Sequence, residues 1–418
     1  MKQILDKIEL FLLCFTVFAI PVHIKVTSVA IALLLLVAFL KKENYKEFAK
    51  LYKNPAFIIL IIPYLMFFLG MLNTRHVTDG VIQLEIVTSL LVFPIIFTAY
   101  KSNSLKYRAE LIQSFFILGV IMAYFICMSV AVPAYVNKGN INVFLYQDFS
   151  GVIKGPHHLS YYVLFSIVIL ISNLIKKTPL LYLEKKLTGL KFILLVVLTI
   201  FLFQLTSKAT ILLYLAIVGF VFVYAVRKKL VSYKIAIPSI VLVVLISIVA
   251  FSTHKINVRF KNLFKAVEHR EQVDLKSQES TALRIAAFKA GTNIVKENFW
   301  RGVGTGDIAY AMSDYYKANN FQGAYIHNIS PHNQFLRSFV MHGVFGFLSV
   351  VAVFGLMIYI AVKHKNFLLM FWIFIMIVLF STEDMFGIQD GIVFFCFYTS
   401  YFIFSPRETI IPKSEEVD

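Results

Sequence analysis

Long apolar runs separated by short charged segments recur from one end of the chain to the other. Runs of roughly 18 residues or more are long enough to cross the hydrocarbon core of a bilayer as a helix. Backbone amides find no water there, so only helices and closed barrels span it. Barrel strands alternate and are about half as long, so these runs predict an all-α, polytopic membrane protein. Twelve spans are expected, near 8–24, 27–40, 55–72, 82–100, 109–131, 158–175, 190–206, 209–226, 235–251, 335–362, 366–382 and 388–405. The apolar runs read as largely unbroken, with charge confined to their ends.

Two connections exceed the short links usual between packed elements: residues 132–157 and residues 252–334, the latter between the ninth and tenth spans. Residues 1–418 are otherwise read as one transmembrane domain, with 252–334 as an excursion from it. Within the excursion, Leu283, Ala287, Ala290 and Ile294 recur at helical spacing and predict an amphipathic helix. Glu279-Ser280-Thr281 is its expected start, Arg284 lies in its first turn, and its end is expected near Asn298. Gly302-x-Gly304-x-Gly306 follows. No strand is predicted before this run, so the nucleotide-cradle reading lacks its context. A chain-reversing turn is expected, with weak diphosphate contact as the lesser alternative.

Composition agrees with the pattern. Hydrophobic residues make up 59% of the 418 residues and charged ones 15%, with a mean hydropathy of +0.77; soluble chains carry about 25% charge. The net charge of +17 invites a nucleic-acid partner, but its distribution points elsewhere. Segments on the side of the N-terminus hold 23 of the 40 Lys and Arg residues. The five short segments opposite hold Lys25, Arg75, Lys138, Lys154 and Lys208 alone. Positive charge retained inside sets topology and touches anionic headgroups. Both termini are therefore expected in the cytoplasm, with 252–334 facing outward and no nucleic acid bound. Cys14, Cys127 and Cys396 all fall inside apolar runs and read as packing residues. The first run has a charged leader but no small-residue cleavage site after it, the pattern of an uncleaved signal anchor.

The chemistry must then lie near the outward boundary. Its basic set includes Arg75, His76, Lys154, His157, His158, Lys208, Arg259, Arg284, Arg301, His332 and Arg337. The acidic set is thinner, with Asp79, Glu85, Asp148, Glu383, Asp384 and Asp390. No metal-ligand spacing occurs, and no metal or other cofactor is expected. Fixed cations without a metal motif suit a strongly anionic ligand held directly by Arg and Lys. Lys208 interrupts two apolar runs at a tight turn; snorkelling to the interface is its ordinary role. Asn328-Ile329-Ser330-Pro331-His332-Asn333-Gln334 ends the excursion. An ionisable group at such a boundary is a functional candidate by default.

This last run resembles the Pro-His-Asn signature of the O-antigen ligase and polymerase superfamily. The superfamily's outward-turn arginine, its loop-helix arginine and its loop-end histidine correspond to Lys208, Arg284 and His332. Thr382-Glu383-Asp384 is similar to its acidic position, and Gly343-Val344-Phe345-Gly346 also fits. Ser207-Lys208 stands where the family usually has Ser-Arg, which keeps the charge but loses the bidentate fork.

The resemblance implies a metal-independent glycosyltransferase of the bacterial inner membrane, working at the periplasmic face in lipopolysaccharide biosynthesis. Its donor would be an undecaprenyl-diphosphate-linked glycan and its acceptor the lipid A-core oligosaccharide or another glycan. His332 and Arg284 would be catalytic. Lys208, Arg284 and Arg301 would hold the diphosphate, with Asn333, Glu383 and His158 in support. Among the superfamily's activities, ligation is favoured over polymerisation by the single large loop. The absence of a glycine eleven positions after any outward-facing arginine points the same way. A protein-directed oligosaccharyltransferase is a third alternative. A lipid-linked glycan transporter is the opposing class, and would be expected to break its spans near the midplane.

Overall fold

The computed structural model describes residues 2–99, 109–176, 188–228, 241, 243–248, 251–268 and 280–405. Among them the regular structure is helical throughout, with no strand. The longer helices are α1 (Lys2–Ala19), α2 (Ile24–Leu40), α3 (Pro55–Gly70), α4 (Val77–Val87), α5 (Ser89–Ala99), α6 (Ala109–Lys138), α7 (Pro156–Lys176) and α8 (Thr188–Gln204). They continue as α9 (Lys208–Arg227), α10 (His254–Glu268), α11 (Ser280–Glu297), α12 (Ile308–Ala318), α13 (Gln334–Lys363), α14 (Phe367–Thr382) and α15 (Gln389–Phe404). Most of the expected span at 235–251, the expected cap residue Glu279, Arg270 and part of the charged segments used for topology lie outside the described residues.

Among the described residues, six helices are long and apolar enough to cross a membrane, or up to seven if the pair Ile24–Leu40 and Lys42–Lys53, bent by 78°, is one span. The expected runs at 190–206 and 366–382 form shorter apolar helices of 17 and 16 residues. Sequence chemistry fixes the ends. Asn54 accepts from the N–H groups of Ala56 and Phe57 ahead of α3, with Pro55 in the first turn. Asn366 accepts from Leu369 N–H ahead of α14. Each satisfies donors the helix leaves orphaned.

The chain divides into two compact units. Of the described residues, the first holds 2–5, 34–99, 262–268 and 280–405; the second holds 6–33, 109–176, 188–228, 241, 243–248 and 251–261. In the second, Phe116 of α6 packs edge-on against Tyr162 and Phe165 of α7, and Ser160 of α7 bonds Thr210 of α9 at 2.8 Å. In the first, α5 meets α15 through Phe93, Phe97 and Phe397. Trp372 is fully buried against Phe394 and Tyr398, and its indole N–H donates to Thr399 at 3.3 Å.

One expectation needs correction. The run at 335–362 is not an unbroken span: α13 breaks at Gly343, where φ is 66° and ψ −159°. Residues 344–363 suffice alone to cross, since about 20 residues at 1.5 Å each give about 30 Å. The preceding piece is an extra short helix carrying Arg337. A break in a buried helix strands backbone groups, and the glycine run satisfies them. Val303 N–H donates to Val340 O at 2.8 Å, Gly304 N–H to Met341 O at 2.9 Å, and Val344 N–H to Phe299 O at 2.8 Å. Thr305 donates its hydroxyl to Phe67 O at 2.7 Å. It therefore accepts from Nε2–H of His342, 3.1 Å away.

Such backbone-to-backbone contact excludes a Cβ. A methyl group at Gly343 would collide with the Trp300 carbonyl, and one at Gly302 with the backbone of Met341. Both glycines also hold φ above 60°, where other residues are strained. Gly343→Ala is therefore expected to destabilise the protein by about 1–3 kcal/mol from strain alone. The clash adds to this, and the loss is read as a lower melting temperature in detergent.

Candidate active site

Two motifs some fifty residues apart in the chain close on each other in the first unit. The entry to α13 runs Pro331-His332-Asn333-Gln334, and the exit from α14 runs Thr382-Glu383-Asp384. Asn333 caps α13 by accepting from Leu336 N–H at 2.9 Å. Its own N–H donates to Asp384 Oδ1 at 3.1 Å, and its amide to Ser381 O at 3.3 Å. Gln334 accepts from Phe386 N–H at 2.7 Å and donates to Ser338 at 2.9 Å. These bonds pin both segments, so the side chains between them are held by a fixed frame.

Glu383 is the centre of that frame. Its side chain is only 9% exposed, and a buried carboxylate needs cations and donors around it. Arg284, in the first turn of α11, gives Nη2–H to Glu383 Oε1 at 2.5 Å. His332 brings Nδ1 to 3.5 Å from the other oxygen, Oε2. Its backbone has φ of 48°, a left-handed turn that histidine tolerates better than most residues. Arg284 and His332 keep side-chain exposures of 35% and 30%, so both remain open to a ligand. A guanidinium carries five N–H donors. Among the described residues, Arg284 commits one of them.

Behind this group lies a second pair. Arg337 and Asp384 are buried, with Nη1 and Oδ2 3.7 Å apart. Arg337 Nη2–H donates to Gln83 Oε1 at 3.0 Å. Arg337 Nε and Asp384 Oδ2 take no hydrogen bond among the described residues. The acidic motif is thus bound by two cations, one facing out and one sealed in.

The sequence-derived residues separate accordingly. Arg284, His332, Asn333 and Glu383 meet in one place. Arg301 belongs to the same unit but is exposed at the glycine turn, and pairs with none of the four among the described residues. Lys208 and His158 lie in the second unit. Lys208 opens α9 after Ser207, at the tight turn expected there. His157, beside His158, stands 3.5 Å from Tyr146 Oη and from Ser207 Oγ, and Arg259 lies over the Tyr146 ring at 3.8 Å. The amphipathic helix forms as its spacing predicts, with Ala287, Ala290 and Ile294 buried. Gln83 and Gln334 were not legible as site residues. A glutamine in an apolar run carries no signal until its partner is known.

Helices of spanning length and a buried carboxylate shared by an arginine and a histidine define a multi-pass membrane protein with a candidate active site. Residues 192–351 match the family model described as O-Antigen ligase, which upholds the resemblance carried by the Pro-His-Asn run. The matched segment contains Lys208, Arg284, Arg301, His332 and Asn333, and ends before Glu383. No curated protein matches the chain.

Proposed function

We propose that this chain is an O-antigen ligase of the bacterial inner membrane. It transfers a glycan from undecaprenyl diphosphate to the lipid A-core oligosaccharide at the periplasmic face. One observation supports this reading above others: the arginine and the histidine that the resemblance assigns to catalysis share a single buried carboxylate.

The donor's sugar–phosphate bond already has a good leaving group. As it breaks, its electron pair passes to the phosphate oxygen, and the growing negative charge needs donors aimed at it. The uncommitted N–H groups of Arg284 supply them. The acceptor hydroxyl attacks the anomeric carbon and loses its proton to a base. His332 serves, since Nδ1 is turned toward Glu383 and Nε2 is the nitrogen left to take the proton. Glu383 is the positioning residue. It fixes the imidazole as carboxylates fix histidines in other acid–base sites, and it holds the guanidinium fork. Both termini are placed in the cytoplasm, so that Arg284 and His332 work outside.

Purified protein, supplied with a defined undecaprenyl-diphosphate glycan and with EDTA present, is expected to glycosylate lipid A-core and not a second lipid-linked repeat unit. Elongation of the lipid-linked repeat instead would identify a polymerase. Transfer to neither, with donor moved between leaflets of a vesicle, would identify a transporter.

A further inference from the structure

The glycine run ends in Asp307, and this residue builds a second oriented imidazole that the reaction above does not use. Asp307 precedes α12 yet gives its side chain to none of that helix's amides. It is buried, and accepts instead from Arg75 N–H at 2.7 Å and His76 N–H at 3.0 Å. Its Oδ1 also meets His76 Nδ1 at 2.5 Å. Burial pushes its pKa up, but the hydrogen bonds from the Arg75 amide and from the His76 ring and amide outweigh this and hold it below the usual range. The carboxylate therefore stays ionised at neutral pH. Its contribution to stability is present above the ordinary carboxylate pKa and is lost as pH falls through the lowered one.

The His76 ring is fixed from a further side. It stacks on Tyr310, with centroids 3.4 Å apart and planes within 5°. The Tyr310 hydroxyl donates to Asp79 Oδ2 at 2.9 Å, a bond that raises the phenol's pKa and keeps it protonated. Gly306 lets the loop lie against His76, whose carbonyl a Cβ there would strike. With Nδ1 engaged, Nε2 is the one polar atom of the ring left over, and it takes no partner among the described residues. The His76 side chain is 41% exposed and Tyr310 is 44% exposed.

The surroundings select the ligand. Asp307 meets the His76 ring directly, and Asp79 is bonded to the tyrosine stacked on it, so two carboxylates border the ring. A diphosphate would be repelled. A neutral hydroxyl donor is suited to a basic nitrogen with an exposed tyrosine ring at its side. We propose that His76, oriented by Asp307, is a glycan-binding residue whose Nε2 accepts a hydrogen bond from a sugar hydroxyl of the substrate, apart from the Arg284 site. The proposal rests on the glycosyltransferase reading.

Steady-state transfer by the purified full-length protein tests it, varying donor and lipid A-core acceptor separately. His76→Phe keeps a ring to stack on Tyr310 and removes both nitrogens. It is expected to raise KM for one glycan-bearing substrate about tenfold, the size of one lost hydrogen bond, with kcat within about twofold. A rise confined to the acceptor places the acceptor glycan there, and one confined to the donor places the donor glycan. Asp307→Asn should reproduce part of the effect. Unchanged KM for both substrates overturns the proposal. So does a fall in kcat that tracks a lowered melting temperature in both variants, since the pair would then be only a structural clasp. Absence of transfer by the unmodified protein with every donor and acceptor would instead refute the glycosyltransferase reading. Saturation-transfer NMR with delipidated core oligosaccharide gives a readout independent of turnover, with contact expected in the unmodified protein and lost in His76→Phe.

Discussion

Arg284→Ala is expected to abolish measurable glycan transfer while leaving the protein inserted and folded. Losing one donor aimed at developing charge costs about 3–4 kcal/mol of transition-state stabilisation, a fall of a hundredfold or more. Arg284 is also a direct hydrogen-bond donor to Glu383, so its removal takes a partner from the carboxylate that faces His332. Both consequences act on the same step. Arg284→Lys keeps the charge without the fork, and is expected to recover only a small part of the rate. Transfer by Arg284→Ala within tenfold of the unmodified protein would remove this residue from the chemistry.

Arg337→Met is expected to be the most destabilising change in the first unit. Deleting one member of a buried ion pair strands the other, at about 3–5 kcal/mol. Asp384 is 7% exposed, and would keep only Asn333 N–H as a donor. Arg337→Met/Asp384→Leu removes both charges, and is expected to restore much of the melting temperature lost by the single variant. The recovery distinguishes a stranded charge from simple loss of packing. A single variant as stable as the unmodified protein would mean that the pair adds nothing to stability.

The helices were legible because apolar runs of spanning length admit few other structures. Their breaks were less so. Gly343 sits inside a run that reads as one apolar span, and neither Arg337 nor His342 before it says that the carbonyl ladder stops there. The partner that makes the break tolerable, the loop from Phe299 to Thr305, lies some forty residues earlier. The glycine run showed as a turn, and its positive-φ glycines agree, but its role as a cap on a broken helix depends on that distant pairing. A broken helix was also the feature expected of a transporter. Here the freed carbonyls of Val340 and Met341 are taken by loop amides, so the break reads as a joint that aims the Arg337 segment.

The site shows the same division. Arg284 was legible from its place on an amphipathic stripe, and His332 from its place at a polar boundary. Glu383 stood out as a charge ending an apolar span. That all three converge depends on Asn333 and Gln334 clasping the segment after Thr382, which is long-range geometry. Lys208 and Arg301 met the same sequence criteria as Arg284, yet Arg301 does not pair with Glu383 among the described residues, and Lys208 belongs to the other unit. Their part in holding a diphosphate rests on charge alone. His76 was legible only as one of the outward basic residues, and its pairing with Asp307 was hidden for a related reason: each becomes informative only beside the other.

Whether Glu383 makes one working unit of Arg284 and His332 is measured most directly by a double-variant cycle on the transfer rate, using Glu383→Gln, His332→Gln and the two together. Groups that act as a unit are strongly non-additive. The combined variant is expected to transfer at about the rate of the worse single one. Losses that multiply would show that the carboxylate and the imidazole act independently, and would contradict the account.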